Sequence, residues 1–390
     1  MSTIKVNKIE NTSTTDGGVS IDVDGHVTID GQQLPTTGPL SNRNLVYNGE
    51  MLVAQRGTSN TSQTGNNKWV VDGFKVNIDG SAVVTHSQES SGAPEGFSKW
   101  LKVTPSTADT VLQSAAYGTV SNNIEGLDFA HVNYGSANAQ TLVVSFKFKT
   151  NKAGTYCMIH RNGLANRNYL HEFTPVADGN WQTITYTVPG DTTGTWQTNN
   201  TKGWRWELCI GNGTSYQSST TESWFSGTYY HSTPNQVNFL DSTSNELGIT
   251  GVQVELGTKS TPFEHVSYSQ TLAKCERYCQ VYSFPNQYEH ICQGIISGAL
   301  NELQLEFPLR NGMRAFPSLE LSAVSHFRLN DYRGHDQDAN QLAGIFRGSL
   351  STVKITFKKA TANMDVGRAG YLNVSTSAGG NCKMTFSSEL

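Results

Sequence analysis

Charge is scarce in this chain. Only 15% of its 390 residues are Asp, Glu, Lys or Arg, and the formal net charge is −4. There is no basic surplus to draw it to nucleic acid or to an anionic membrane. Long apolar runs are lacking as well. Met1-Ser2-Thr3-Ile4-Lys5 opens without the apolar core of a secretory signal, and no stretch is long enough to cross a bilayer, so folding in a cytosol is expected. In that compartment the six cysteines (Cys157, Cys209, Cys275, Cys279, Cys292, Cys382) are expected as free thiols. Cys275 and Cys279 lie four apart, but no second ligand pair stands near. No metal and no cofactor is therefore expected, and the two read as small buried hydrophobes.

Catalytic signatures are missing too. The chain has no Gly-x-Ser-x-Gly elbow, no phosphate-cradling glycine loop and no His-Glu-x-x-His. The expectation is a protein that is not an enzyme. Glycan cleavage by two carboxylates is the one enzymatic reading left open, because sequence does not reveal their separation. Glu172 and Glu207 are its candidates, with purely structural carboxylates as the alternative.

What is present is a β-rich pattern. A chain of this length exceeds one hydrophobic core, so two or three domains are expected. Residues 1–40 are small and polar, with short alternating islands. Ile21 and Val23 face Val27 and Ile29 across Asp24-Gly25-His26, a hairpin signal. So few apolar groups cannot hold a fold alone, so the segment must dock, intertwine with copies of itself or stay loose. Pro35-Thr36-Thr37-Gly38-Pro39 reads as a linker. Asn42 to Met51 reads as a strand with a tight Asn-Gly turn.

Residues 41–266 are all-β. The run Thr141 to Lys149 places Leu142, Val144, Phe146 and Phe148 on one face, and many such short strands with glycine-rich turns predict a jelly-roll-like β-sandwich. A connecting helix is predicted over 267–282. Tyr268, Leu272, Cys275, Cys279 and Tyr282 recur on one face, and Ser267 to Gln270 forms a capping box. That face is read either as an oligomer seam or as packing on a neighbouring sheet. Residues 283–390 return to strands, and all seven tryptophans lie before residue 225, so this part has its own core.

Two polar-aromatic stretches are candidate binding sites. Around Trp196 and Asn199, aromatics and amides together suit sugar stacking, with core filling as the alternative. Between strands near the C-terminus, Arg328, Asp331, Tyr332, Arg333, His335 and Asp336 form a loop suited to receptor contact, with a solvated loop as the alternative.

The stretch Gly251-Val252-Gln253-Val254-Glu255-Leu256-Gly257, continuing through Thr261-Pro262-Phe263-Glu264-His265 to Cys275-Glu276-Arg277-Tyr278-Cys279, resembles a segment of tail-fibre and appendage proteins of tailed bacteriophages. There it usually reads GVQLEVG…TPFEHRSYGEELALCQRYY. Asn42 to Gly57 is similar to their NLLINGAMQVAQRG opening. Val266 and Cys279 depart from the pattern, where Arg and Tyr are usual. The resemblance implies a virion protein assembled in the host cytoplasm: a parallel homotrimeric tail fibre, attached to phage tail or capsid proteins through residues 1–40. Residues 283–390 would be distal and receptor-facing, holding a host surface glycan or protein. A capsid fibre or decoration protein without receptor role and a glycan-degrading tailspike are its alternatives. No nucleic acid and no membrane insertion are expected.

Overall fold

The computed structural model describes residues 8–10, 18–21, 27–29, 32–33, 41–297, 302–331, 337–346, 348–359 and 364–390. The chain divides into two compact units, Met1–Thr271 with Leu390 and Leu272–Glu389. No helix among the described residues is long and apolar enough to cross a membrane.

The first unit is an antiparallel sandwich. Its seven-stranded sheet runs in the order Phe225–Ser226, Arg167–Phe173, Tyr156–Asn162, Lys202–Asn212, Tyr117–Glu125, Phe74–Asp79, Gly65–Trp69. The six-stranded sheet runs Gln182–Val188, Leu142–Thr150, Leu247–Leu256, Trp100–Thr107, Val83–Glu89, Ser59–Gln63. The chain passes repeatedly from one sheet to the other, so most neighbours within a sheet are distant in sequence. Leu142, Val144, Phe146 and Phe148 point into the core while Ser145, Lys147 and Lys149 stay half-exposed, as the alternation predicts. From the opposite sheet come Trp204 and Trp206, both fully buried. Phe146 meets Trp206 edge-on at 5.5 Å between ring centres, and Phe74 meets it at 6.0 Å. Each large side chain buried this way contributes roughly 2–3 kcal/mol.

Four short strands near the N-terminus (Lys8–Glu10, Gly18–Ile21, Val27–Ile29, Gln32–Gln33) form an antiparallel sheet in sequence order. Ile21 pairs with Val27 as the hairpin pattern predicts, though the turn itself lies outside the described residues.

One expectation fails at Asn42 to Met51, which is a turn rather than a strand. Asn48 and Met51 adopt left-handed φ of 56° and 61°, which breaks any pleat. The Asn48 amide group donates to Val53 O and Asp72 O and accepts from Val53 N, satisfying the irregular backbone from within. Gly49 runs against the Leu247–Leu256 strand, and a Cβ there would sit 2.1 Å from the Val252 carbonyl oxygen. Gly49→Ala should therefore cost about 2–3 kcal/mol, in the range of overpacking a tight contact, measurable as a lowered urea midpoint.

The second unit joins two sheets around one core. The larger runs Gln337–Asp338, Phe327–Asn330, Ala369–Val374, His290–Ser297, Glu302–Pro308, Thr352–Lys358, Gln341–Phe346. The smaller runs Cys279–Phe284, Cys382–Ser387, Ser318–Leu321. Phe307, Phe327, Phe357, Met384 and Phe386 fill the space between them.

The predicted helix is shorter than its spacing suggested, spanning Tyr268–Glu276. Its start is as read: Gln270 N donates to Ser267 Oγ and Ser267 N to Gln270 Oε1. Its end is not. Cys279–Phe284 pairs antiparallel with Cys382–Ser387, and Tyr282 packs edge-on to Phe307 at 4.8 Å. A short apolar run fits either period, and here pairing with a strand a hundred residues later prevails. Of the five seam residues, Tyr268, Leu272 and Cys275 are on the helix, and Cys279 and Tyr282 are on that strand. Tyr268 is exposed, while Cys275 and Cys279 are buried.

Candidate functional site

A concave site lies on the outer face of the six-stranded sheet. It begins with a bulge. Ser145 pairs with Gln253 and Lys147 with Thr250, so Gly251 and Val252 together face Phe146. Gly251 takes φ +62°, and a Cβ there would come within 2.7 Å of Phe97 Cζ. The missing side chain lets the Phe97 ring lie against the sheet.

Phe263 and His265 complete an aromatic cluster. Phe97 and Phe263 are 5.1 Å apart, Phe97 and His265 5.3 Å, and Phe263 and His265 4.9 Å. The chain around them is pinned so that these rings project outward. Thr261 donates through N and Oγ1 to the Glu255 carboxylate at 2.8 and 2.7 Å. Glu264 N donates to Gln253 Oε1 at 2.8 Å. Arg43 donates to Thr261 Oγ1 and Pro262 O, and lies 3.4 Å from Glu255. Asn44 N donates to Glu264 Oε2, and Asn44 Nδ2 to Val252 O. His265 Nδ1 meets Glu50 Oε2 at 2.9 Å. Thus the two segments singled out in the sequence, 42–57 and 251–265, form one clasp.

Beside the rings the wall is polar. Lys147 Nζ donates to Thr183 Oγ1 at 2.8 Å, and Ser145 and Glu95 line the same hollow. Its volume is about 300 Å³. An apolar platform with a few convergent polar groups is what a small-ligand site requires.

The sequence candidates are elsewhere. Trp196 is buried, boxed edge-on by Tyr134 at 4.8 Å and Trp224 at 5.2 Å, with Nε1 toward Asp191 and Thr193 O. Its indole fills core and offers no face to a sugar, which corrects the stacking expectation. Asn199 is exposed and accepts from Thr201 N and Oγ1, closing its own turn. Arg328 is half-buried, 4.0 Å from Asp338 and 6.0 Å from the Tyr288 ring. Asp331 is buried rather than displayed. Tyr332, Arg333, His335 and Asp336 lie outside the described residues.

The two carboxylates considered for cleavage are on the outer face of the seven-stranded sheet. Glu172 accepts from Thr233 Oγ1 and Asn235 Nδ2. Glu207 is fully buried, taking hydrogen bonds from Arg161 at 2.6 Å and Arg205 at 3.0 Å, with His231 at 2.9 Å. Burial pushes its pKa up, but the two guanidiniums and His231 outweigh that and hold it well below the ordinary range. A carboxylate kept ionised and sealed cannot protonate a leaving group.

No family model matches this chain, and no curated protein matches it. Among solved structures, it is similar to the enzymatically active domain of tailspike protein 4 of bacteriophage CBA120, with TM-score 0.32 and 10% identity over 55% of this chain and 22% of that one. A family 11 carbohydrate-binding module from Clostridium thermocellum gives TM-score 0.27 and 13% identity, over 54% of this chain and 99% of the module. The CBM22-1–GH10 modules of xylanase 10B from the same organism give 0.26 and 11%, over 54% and 31%.

Proposed function

We propose that the protein is an appendage protein of a tailed-phage particle, a tail fibre that holds the host surface through carbohydrate bound in the first unit's cleft. The observation that carries this is the outward pair Phe97 and Phe263 beside Ser145, Lys147 and Thr183. Aromatic faces cover the apolar faces of sugar rings, and the hydroxyl and ammonium groups meet the ring hydroxyls. One carboxylate, Glu95, lines the cleft, where hydrolysis by paired carboxylates needs two, so binding is favoured over cleavage there.

The phage assignment is supported by the clasp. The segments that resemble fibre proteins hold each other through Arg43, Asn44, Gln253, Glu255, Thr261 and Glu264, giving the shared sequence a physical purpose. On this reading the fibre is a homotrimer attached through residues 1–40. Weak single contacts would be strengthened by repetition along the particle.

Labelled protein should bind host cells, and Phe97→Ala with Phe263→Ala should weaken binding at least tenfold, the loss of about 1.4 kcal/mol. Both rings are partly exposed, so the fold should persist. Equal binding by the double variant, or absence of the protein from purified particles by electron microscopy, would refute the assignment.

A further inference from the structure

The second unit carries a surface of a different design. Its larger sheet buries Leu303, Leu305, Val353 and Ile355 on one face, and on the opposite face a row of side chains crosses five strands. Tyr371 pairs with Gln293, Glu306 with Lys354, and Lys354 with Phe346. Gly294 pairs antiparallel with Leu305, which sets Gln293 opposite Glu306 and closes the row. Strands lie about 4.8 Å apart, so four spacings make a track of roughly 19 Å. A hollow of about 300 Å³ runs along its middle, with Ile295, 60% exposed, at its edge.

The track ends in aromatics. Phe346 is 50% exposed, and its ring lies across Gly344, where a Cβ would be 2.9 Å from Phe346 Cζ. Tyr371 is half-buried and stacks on His290 at 5.6 Å, inclined by 27°. Between them stand an amide, a carboxylate and an ammonium group.

We propose that this row binds a neutral linear oligosaccharide lying across the strands, with a sugar ring against each end aromatic and the intervening hydroxyls on Gln293, Glu306 and Lys354. Three arguments select this ligand. Sugar hydroxyls both donate and accept, and the three central groups supply an amide that does both, an acceptor and a donor. Glu306 and Lys354 face each other with opposite charge, so the track has no net charge to select an ionic chain. A protein partner would need about 800 Å² on each side, which a single row does not provide. The site is independent of the first unit's cleft.

The full-length protein should be applied to an immobilised array of linear bacterial-surface oligosaccharides, neutral and acidic, of graded length. Phe346→Ala and Gln293→Ala should each lower retention of the neutral chains at least tenfold. Val176→Ala, exposed and outside both sites, should leave that retention in place, and chains too short to span the track should be held weakly. Phe346 and Gln293 are exposed, so unchanged thermal melting of the variants is expected to accompany the loss. Undiminished retention by both variants would overturn the inference, as would retention of acidic chains alone or of none. Complete loss in Phe263→Ala alone would overturn it too, while leaving the first cleft standing. Loss confined to Phe346→Ala and Gln293→Ala would sustain it and count against that cleft.

Discussion

Glu207→Gln should destabilise the first unit by about 3–5 kcal/mol, the cost of breaking a buried ion pair from one side. The expected readout is a large fall in urea midpoint with little change in slope. Glu207 holds two guanidiniums at once, Arg161 at 2.6 Å and Arg205 at 3.0 Å, and Arg161 is itself only 1% exposed. An amide offers one acceptor and adds two N–H donors toward groups that only donate. The loss also reaches His231, whose Nδ1 sits 2.9 Å from the same carboxylate and whose ring stacks on Tyr117 at 4.4 Å. That contact ties the long segment after the Lys202–Asn212 strand to the sheet. Replacing the whole cluster (Arg161→Met, Arg205→Met, Glu207→Leu) should recover much of the loss, because no charge is then left buried without a partner. A triple variant as unstable as Glu207→Gln would mean that packing, and not charge, governs this face.

Where a pattern repeats every second residue, the fold was legible. Leu142 to Phe148 announced both its strand and its buried face, and the capping box at Ser267 announced the helix start. Strands such as Tyr117–Glu125 and Phe74–Asp79 were not anticipated. In Tyr117–Glu125 the buried Asn122 stands on the inward side between Val120 and Ile124 and breaks the alternation, while Phe74–Asp79 does alternate but over only six residues. The helix end was missed because its pairing partner is a hundred residues away. The site was harder still. Phe97 reaches the cleft from a turn, Lys147 from one strand and Phe263 from beyond another, and only the bulge at Gly251 brings them together. The signal that could have found it was the motif itself: Thr261 and Glu264 turned inward by Glu255 and Gln253 leave Phe263 and His265 facing out. Trp196 stayed open between sugar stacking and core filling because a tryptophan amid amides looks the same in sequence whether its box is closed or open.

Acidification from pH 6.5 to 4.5 should already weaken the first unit. His86 is fully buried between the sheets, and neither ring nitrogen has a protein partner among the described residues. Burial lowers its pKa to about 4. His160 is also fully buried, stacked on Trp204 at 4.4 Å, with Nε2 toward Tyr186 OH at 2.9 Å, and burial lowers its pKa to about 3. In the unfolded chain both would titrate near 6.5, so unfolding takes up protons below that pH. The stability they confer is complete above pH 6.5 and declines as the pH falls toward the folded-state values. For His86 alone the interval corresponds to about 3 kcal/mol. The depressed carboxyls of Glu207 and Glu246 act lower, losing their contribution only as the pH falls below the usual carboxylate range near 4.3. The window from 6.5 to 4.5 therefore belongs to the histidines. His86→Leu removes both unpartnered nitrogens at similar volume, and between pH 7 and 5 it should lose about 2 kcal/mol less than the parent. Parallel stability–pH curves for the two proteins across that window would show that His86 is charged in the fold, and that the core between these sheets is wetter than its packing implies.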